Sequence, residues 1–267
     1  VTADGPAGLR LTVVGCAGSY PGPTSPASCY LVEADGDDGA GGTRRWRILL
    51  DLGNGALGAL HNHADPLAID AVFVSHLHAD HCLDLCGYYV LRKYHPTGAQ
   101  PRIPVWAPAG AAERLARAYD LPLDPGMTEE FDFTEYAADR APVQVGPFTV
   151  QPFEVYHPVT AYALRVTAAG RTLTYSGDTA PCAGLDEAAA GADLLLAEAA
   201  FRSQDDNPPG VHLTGADAGE LATRAGAGQL VLTHVPAWFD PLDAHGEAVE
   251  KYDGPTWLAT TGAVFEV

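Results

Sequence analysis

Three imidazoles and one carboxylate fall within six positions in the run Val72-Phe73-Val74-Ser75-His76-Leu77-His78-Ala79-Asp80-His81. A plain polar turn seldom needs three histidines and an aspartate, so this density points to a metal site. Imidazole and carboxylate without thiolate suit divalent ions of intermediate softness such as Zn²⁺, Mn²⁺ or Fe, and not Ca²⁺ or a soft metal. The apolar residues 71–74 predict a short buried strand, and a run starting at His81 predicts a helix. The candidate ligands therefore lie on a strand-to-helix turn. Because alternate side chains of such a turn point in different directions, His76 and His78 can face one metal while Asp80 and His81 face a neighbouring one.

The bulk of the chain sets limits on what this turn can serve. A length of 267 residues with 47% apolar content fits one α/β domain over residues 1–267 with a sizeable core. No apolar run is long enough to span a bilayer, and the chain does not open on a basic segment followed by an apolar one. A cytoplasmic protein is expected. Cys16, Cys29, Cys82, Cys86 and Cys182 are odd in number and irregularly spaced, which predicts small buried thiols in a reducing compartment. Cys82 and Cys86, four apart on the expected helix, raise the weaker alternative of an accessory metal. The excess of 34 acidic over 15 basic residues gives a net charge of −19, which repels extended nucleic acid. Two divalent ions would add about four positive charges at one point, enough for a small phosphate ester.

Strands are expected at residues 9–14, 29–33, 45–51, 103–106, 142–145, 148–155, 162–167, 171–175, 193–197 and 229–233, with 256–267 closing a sheet. Helices are expected at 54–63, 82–94, 109–119, 181–190, 214–225 and 244–252. Residues 34–43 read as a solvated hairpin tip, 129–138 have no clear form, and 202–210 read as a polar, mobile loop over the site. His61 and His63, alternate on a short helix, fall on different faces and are excluded as ligands. Tyr88, Tyr94 and His95 are read as core or pocket mouth, and Trp238 and Phe239 as buried aromatics or a stacking surface for a base.

The pattern His76-x-His78-x-Asp80-His81 resembles the signature of the metallo-β-lactamase fold superfamily. Further segments fit it in order: Asp51 in Leu50-Asp51-Leu52-Gly53, His157 in Tyr156-His157-Pro158, Asp178 in Ser176-Gly177-Asp178-Thr179 and His234 in Thr233-His234-Val235-Pro236. Ala197-Glu198-Ala199-Ala200-Phe201 and Val211-His212-Leu213-Thr214-Gly215 resemble the glutamate and histidine pair of the ribonuclease Z branch. Gly15-Cys16-Ala17-Gly18-Ser19, Ser25-Pro26-Ala27-Ser28, Leu57-Gly58-Ala59-Leu60 and Tyr94-His95-Pro96 are similar to actinobacterial members described as atypical cyclic-nucleotide phosphodiesterases.

This resemblance implies an αββα sandwich, two mixed sheets face to face with helices outside. It implies one metal on His76, His78 and His157, a second on Asp80, His81 and His234, and Asp178 bridging both, with Zn²⁺ the expected pair and Mn²⁺ or Fe the alternatives. A hydroxide shared by the metals would attack phosphorus. His212, held protonated by Glu198, is the expected general acid for the leaving oxygen, and Asp80 completes the catalytic set. Asp51 is expected to orient a ligand histidine. Ser19 and Ser28, from a loop resembling the family's first active-site loop, and Thr214, at a helix start that looks like a capping box with Asp217, are expected near the substrate. The implied activity is hydrolysis of a small phosphodiester, a 3′,5′-cyclic nucleotide, by a homodimer. The alternatives are a tRNA 3′-processing endoribonuclease, disfavoured by charge and by the lack of a Gly/Pro/Lys-rich arm, and a thioester or lactone hydrolase, for which His212 and Glu198 would be surplus.

Overall fold

The computed structural model describes residues 8–267, so the first seven residues of the expected domain lie outside the described residues. Two seven-stranded mixed sheets carry the chain. The first runs in the order Val264–Glu266, Arg10–Gly15, Cys29–Asp37, Thr43–Leu50, Ala71–Phe73, Ile103–Ala107, Phe131–Glu135. The second runs Thr256–Leu258, Leu230–Thr233, Leu194–Glu198, Arg171–Tyr175, Ala161–Ala168, Phe148–Val155, Val143–Val145. A two-stranded parallel bridge pairs Ala17–Gly18 with Val235–Pro236.

Side-chain alternation explains the layers. In the first sheet Tyr30, Val32, Ile48, Leu50 and Phe73 enter a central cluster that also holds Phe148, Val150, Leu164, Leu173 and Leu196 of the second. The intervening residues Leu31, Leu49 and Val72 face outward onto a cluster with Leu60, Leu85, Tyr88 and Leu115, which the helices on that side supply. Leu195 and Ala197 do the same against Leu185, Leu221 and Ala248. Central strands covered on both faces read as continuous apolar runs, as these do. The αββα sandwich expected from the sequence is therefore present.

Several boundaries differ from expectation for local reasons. The helix expected over 82–94 is broken into Ala79–Cys82 and Leu85–Lys93. At the break, Asp84 donates its backbone N–H to Leu52 O (3.1 Å) and accepts from Leu57 N–H (2.8 Å), tying the metal turn to the helix Ala56–Leu60. The hairpin strands run further than expected, to Asp37 and from Thr43, because Asp35 and Glu33 pair with Arg45 and Arg47 across them. Residues 131–135 are an edge strand. The C-terminal segment splits: Thr256–Leu258 joins one sheet and Val264–Glu266 the other, so it closes both. Among the described residues no helix is long and apolar enough to cross a membrane.

Candidate metal centre

Strand direction gathers the candidate residues. Thr43–Leu50 and Ala71–Phe73 are parallel, and so are Arg171–Tyr175, Leu194–Glu198 and Leu230–Thr233. Asp51, His76, Asp178 and His234 follow the C-terminal ends of four of these strands, and Glu198 ends the fifth. Phe148–Val155, two antiparallel steps from Arg171–Tyr175, points the same way and releases His157. Side chains leaving the carboxyl ends of co-directional strands meet at one rim, where α/β sheets place their ligands.

The geometry at that rim matches the expected ligand sets. Donor atoms of His76, His78, His157 and Asp178 all lie within 4.8 Å of one another, and so do those of Asp80, His81, Asp178 and His234. His78 Nδ1 is 3.0 Å from His76 Nε2 and 3.3 Å from His157 Nε2. Asp178 Oδ1 is 3.2 Å from His81 Nε2, and its Oδ2 is 3.2 Å from His234 Nε2 and 3.7 Å from His76 Nε2. One carboxylate thus faces both groups.

His81 Nε2, His234 Nε2 and Asp178 Oδ1 are buried yet form no hydrogen bond. Each such atom left unpaired costs about 1–3 kcal/mol, so three converging on one point are explained by a cation that would take all of them. Burial holds His76 well below the usual imidazole range, and burial together with the neighbouring imidazoles lowers His78. Burial likewise lowers His157. The neutral form is the one that ligates. Burial opposes the charge of Asp178, but His234, His81 and His76 around it hold its carboxyl well below the usual carboxylate range. The residues fit a pair of divalent ions.

The backbone is strained where it delivers these groups. Asp51 (φ 61°) and His234 (φ 57°) adopt the left-handed region, which bulkier residues hold only when their surroundings enforce it. Gly177 (φ 59°) precedes Asp178, and a Cβ there would stand 2.8 Å from Tyr162 O. For His234 the enforcement is visible: its N–H donates to Cys16 O (3.0 Å), and its Nδ1 lies 3.1 Å from Ser28 Oγ.

Asp51 is completely buried and saturated. It accepts from Ser75 N–H (2.6 Å), Ser75 Oγ–H (2.8 Å) and Tyr175 Oη–H (2.8 Å), and its Oδ2 is 2.7 Å from His81 Nδ1. Accepting the Nδ1 proton leaves His81 Nε2 as the atom turned to the centre. Replacing Asp51 with Asn is therefore expected to weaken the site that His81 serves by about 10–100-fold, read by competition against a chromophoric chelator. Unchanged affinity for both ions would remove this role.

Glu198 is completely buried. It accepts from Thr179 N–H (2.8 Å) and Ala200 N–H (3.2 Å), and its Oε1 is 2.9 Å from His212 Nδ1. Burial disfavours the imidazolium of His212, but the Glu198 carboxylate outweighs it and raises the pKa to about 9. With Nδ1 engaged, Nε2 is the nitrogen left to act. His212 joins Ser19, His78, Asp80, His157 and His234 in lining a pocket of about 240 Å³.

Three expectations fare differently. Ser19 lines that pocket. Ser28 is fully buried and meets His234 instead of open space, so its position suits ligand orientation better than substrate contact. Thr214 Oγ1 accepts from Asp217 N–H (3.1 Å) and donates to Asp217 Oδ2 (2.7 Å), completing the expected capping box, and Thr214 does not line the pocket. The accessory-metal alternative has no support: Cys82 and Cys86 donate to different carbonyls, His78 O and Leu115 O, and burial pushes the Cys82 thiol up to about 12. Neither these thiols nor His61 and His63 join a ligand cluster among the described residues. Tyr88 is core, its hydroxyl donating to Pro66 O (2.7 Å), while Tyr94 is exposed. The loop 202–210 is internally bonded through Arg202, Asp205 and Asn207 and is held to the helix Pro241–Val249 by Ser203 and Glu247.

Sequence reasoning missed Ser75, Tyr175 and the Val211 carbonyl, which lies 2.8 Å from His157 Nδ1. Ser75 was visible beside His76 as a hydroxyl in the ligand run. Tyr175 reads as one more aromatic in a buried strand, and a backbone carbonyl carries no sequence signal.

The comparisons with known proteins agree with this geometry. The family model described as Beta-lactamase superfamily domain matches residues 46–235. An uncharacterized protein of Mycobacterium leprae is 41% identical over 263 residues, covering 97% of this chain and 89% of its own. The probable metallo-hydrolase YhfI of Bacillus subtilis is 28% identical, covering 97% of this chain and all of its own, and its crystal structure superposes with a TM-score of 0.82 at 27% identity, covering 97% of this chain and 99% of its own. A ribonuclease Z of Myxococcus xanthus is 29% identical over 313 residues, covering 97% and 98%. The short form of human tRNase Z shares the fold, with a TM-score of 0.72 at 21% identity over 96% of this chain and 98% of its own.

Proposed function

The chain belongs to the metallo-β-lactamase superfamily, on its ribonuclease Z-like branch, and on that footing we propose that it is a phosphodiesterase acting on a small phosphodiester, a 3′,5′-cyclic nucleotide. The family and the His/Asp cluster support a metal-dependent hydrolase. The observation that carries the finer reading is the His212–Glu198 pair beside two donor groups that share Asp178. A thioester expels a thiolate that can depart unprotonated, whereas a phosphodiester with an alkoxide leaving group needs a proton.

His76, His78, His157 and Asp178 would hold one divalent ion and Asp80, His81, Asp178 and His234 the other, with Zn²⁺ the proposed pair. When bound, such ions polarise a phosphoryl oxygen and make water a nucleophile near neutral pH. Asp51 keeps His81 Nε2 turned inward, Ser28 does the same for the His234 ring, and Glu198 holds His212 by Nδ1 so that Nε2 delivers a proton to the departing 3′ oxygen. Ser19, on its left-handed backbone, is placed at the pocket wall to meet a phosphate oxygen. The small pocket and the charge of −19 favour a compact substrate over a polymer. The same reading takes the chain as one domain that pairs as a homodimer, and five unpaired thiols suit the cytoplasm.

Processing of tRNA 3′ ends is the second reading, favoured by the ribonuclease Z relatives. A substrate panel separates the two. Protein loaded with Zn²⁺ or Mn²⁺ is expected to cleave bis(p-nitrophenyl) phosphate and cyclic AMP and to leave a tRNA precursor whole. Efficient precursor processing without cyclic-nucleotide turnover would reverse the order.

A further inference from the structure

We infer that Trp238, backed by Tyr20, is a stacking platform for the base of the substrate. This deepens the cyclic-nucleotide reading and rests on it for the identity of the ligand. Trp238 is 59% exposed and Tyr20 41%, although both are large aromatic side chains that folding would ordinarily cover. Their ring centroids are 5.2 Å apart at an interplanar angle of 31°, so they pack on one another and leave the rest of the indole to solvent.

Their position follows from the two-stranded bridge at the metal centre. Val235 is opposite Ala17 and Pro236 opposite Gly18, and Trp238 and Tyr20 each follow two residues beyond the end of this bridge. The bridge is rooted in the site at both ends. Ser19, which lines the pocket, immediately precedes Tyr20, and His234, whose N–H is held by Cys16 O, begins the segment that leads to Trp238. Phe239 lies edge-on to Trp238, with centroids 6.0 Å apart, and the Arg202 guanidinium sits 4.3 Å from the Phe239 centroid. An aromatic face one residue along the chain from Ser19 of the metal-ligating pocket suits a substrate whose phosphodiester sits at the centre and whose planar base lies on the ring. Stacking on an aromatic side chain accepts every base, because every base has a π-face.

Two measurements test this on the whole chain. The first compares cyclic AMP with an abasic ribose 3′,5′-cyclic phosphate, which has the same reacting centre. Trp238→Ala is expected to lower kcat/KM for cyclic AMP by about tenfold, mainly through KM, and to leave the abasic substrate within about twofold; Tyr20→Phe should retain the preference. An equal loss on both substrates, or none on cyclic AMP, overturns the inference while leaving the phosphodiesterase reading intact. The second does not need turnover: saturation-transfer NMR with adenosine should mark H2 and H8 in the wild type and in Trp257→Phe, and lose that signal in Trp238→Ala. If the wild type turns over neither phosphodiester, the activity reading fails, and adenosine binding that is independent of Trp238 defeats the platform on its own.

Discussion

Replacing Asp178 with Ala should abolish binding of both ions and lower hydrolysis of any phosphodiester by at least about 10³-fold, the equivalent of the several kcal/mol that metal polarisation supplies. The reason is geometric. Its carboxylate lies 3.2 Å from His81 and 3.2 Å from His234 of one donor group and 3.7 Å from His76 of the other, so its removal takes a ligand from each donor group at once. A ligand belonging to one group, such as His157, should leave the other group able to bind. Thermal unfolding gives a reading independent of activity. Wild-type protein should be stabilised by about 2.7 kcal/mol for each bound ion when free metal reaches one hundred times that site's dissociation constant, and Asp178→Ala should show no such shift. Retention of one tightly held ion by Asp178→Ala would mean that the carboxylate serves a single site.

His212→Ala should separate substrates by their leaving groups. With an alkoxide such as the 3′ oxygen of a cyclic nucleotide, loss of a positioned acid is expected to cost about 10²–10⁴-fold in kcat. p-Nitrophenolate departs without a proton, so bis(p-nitrophenyl) phosphate should lose only a few-fold. Glu198→Gln should fall between, because an amide can keep the 2.9 Å hydrogen bond to His212 Nδ1 but not the charge that favours the imidazolium. Equal losses on both substrates would assign His212 to binding or to local structure.

The chemistry was legible in the sequence to the extent that it is written in side-chain type and spacing. The run from His76 to His81 declared a metal by density, and resemblance supplied His157, Asp178 and His234, whose separations along the chain contain no hint of proximity. Strand direction brings them together, which is a property of the whole sandwich. The sheets themselves were readable because covered strands such as Leu194–Glu198 and Leu230–Thr233 are unbroken apolar runs. What escaped was decided by tertiary context. Asp84 breaks a helix whose local pattern is continuous, because its carboxylate serves Leu57 N–H in another segment. Ser28 reads as an open loop hydroxyl yet lies buried against His234, and Tyr175 reads as core yet holds Asp51. Neither role can be found without knowing which strand end lies across the rim.

The most direct test of the paired centre is a count of metal ions per chain by elemental analysis, made on protein whose cyclic-nucleotide activity is measured in the same preparation. Activity should rise with metal content and reach its full value at two ions per chain. Full activity at one ion per chain, or in protein stripped of metal, would contradict a centre built around the shared carboxylate of Asp178.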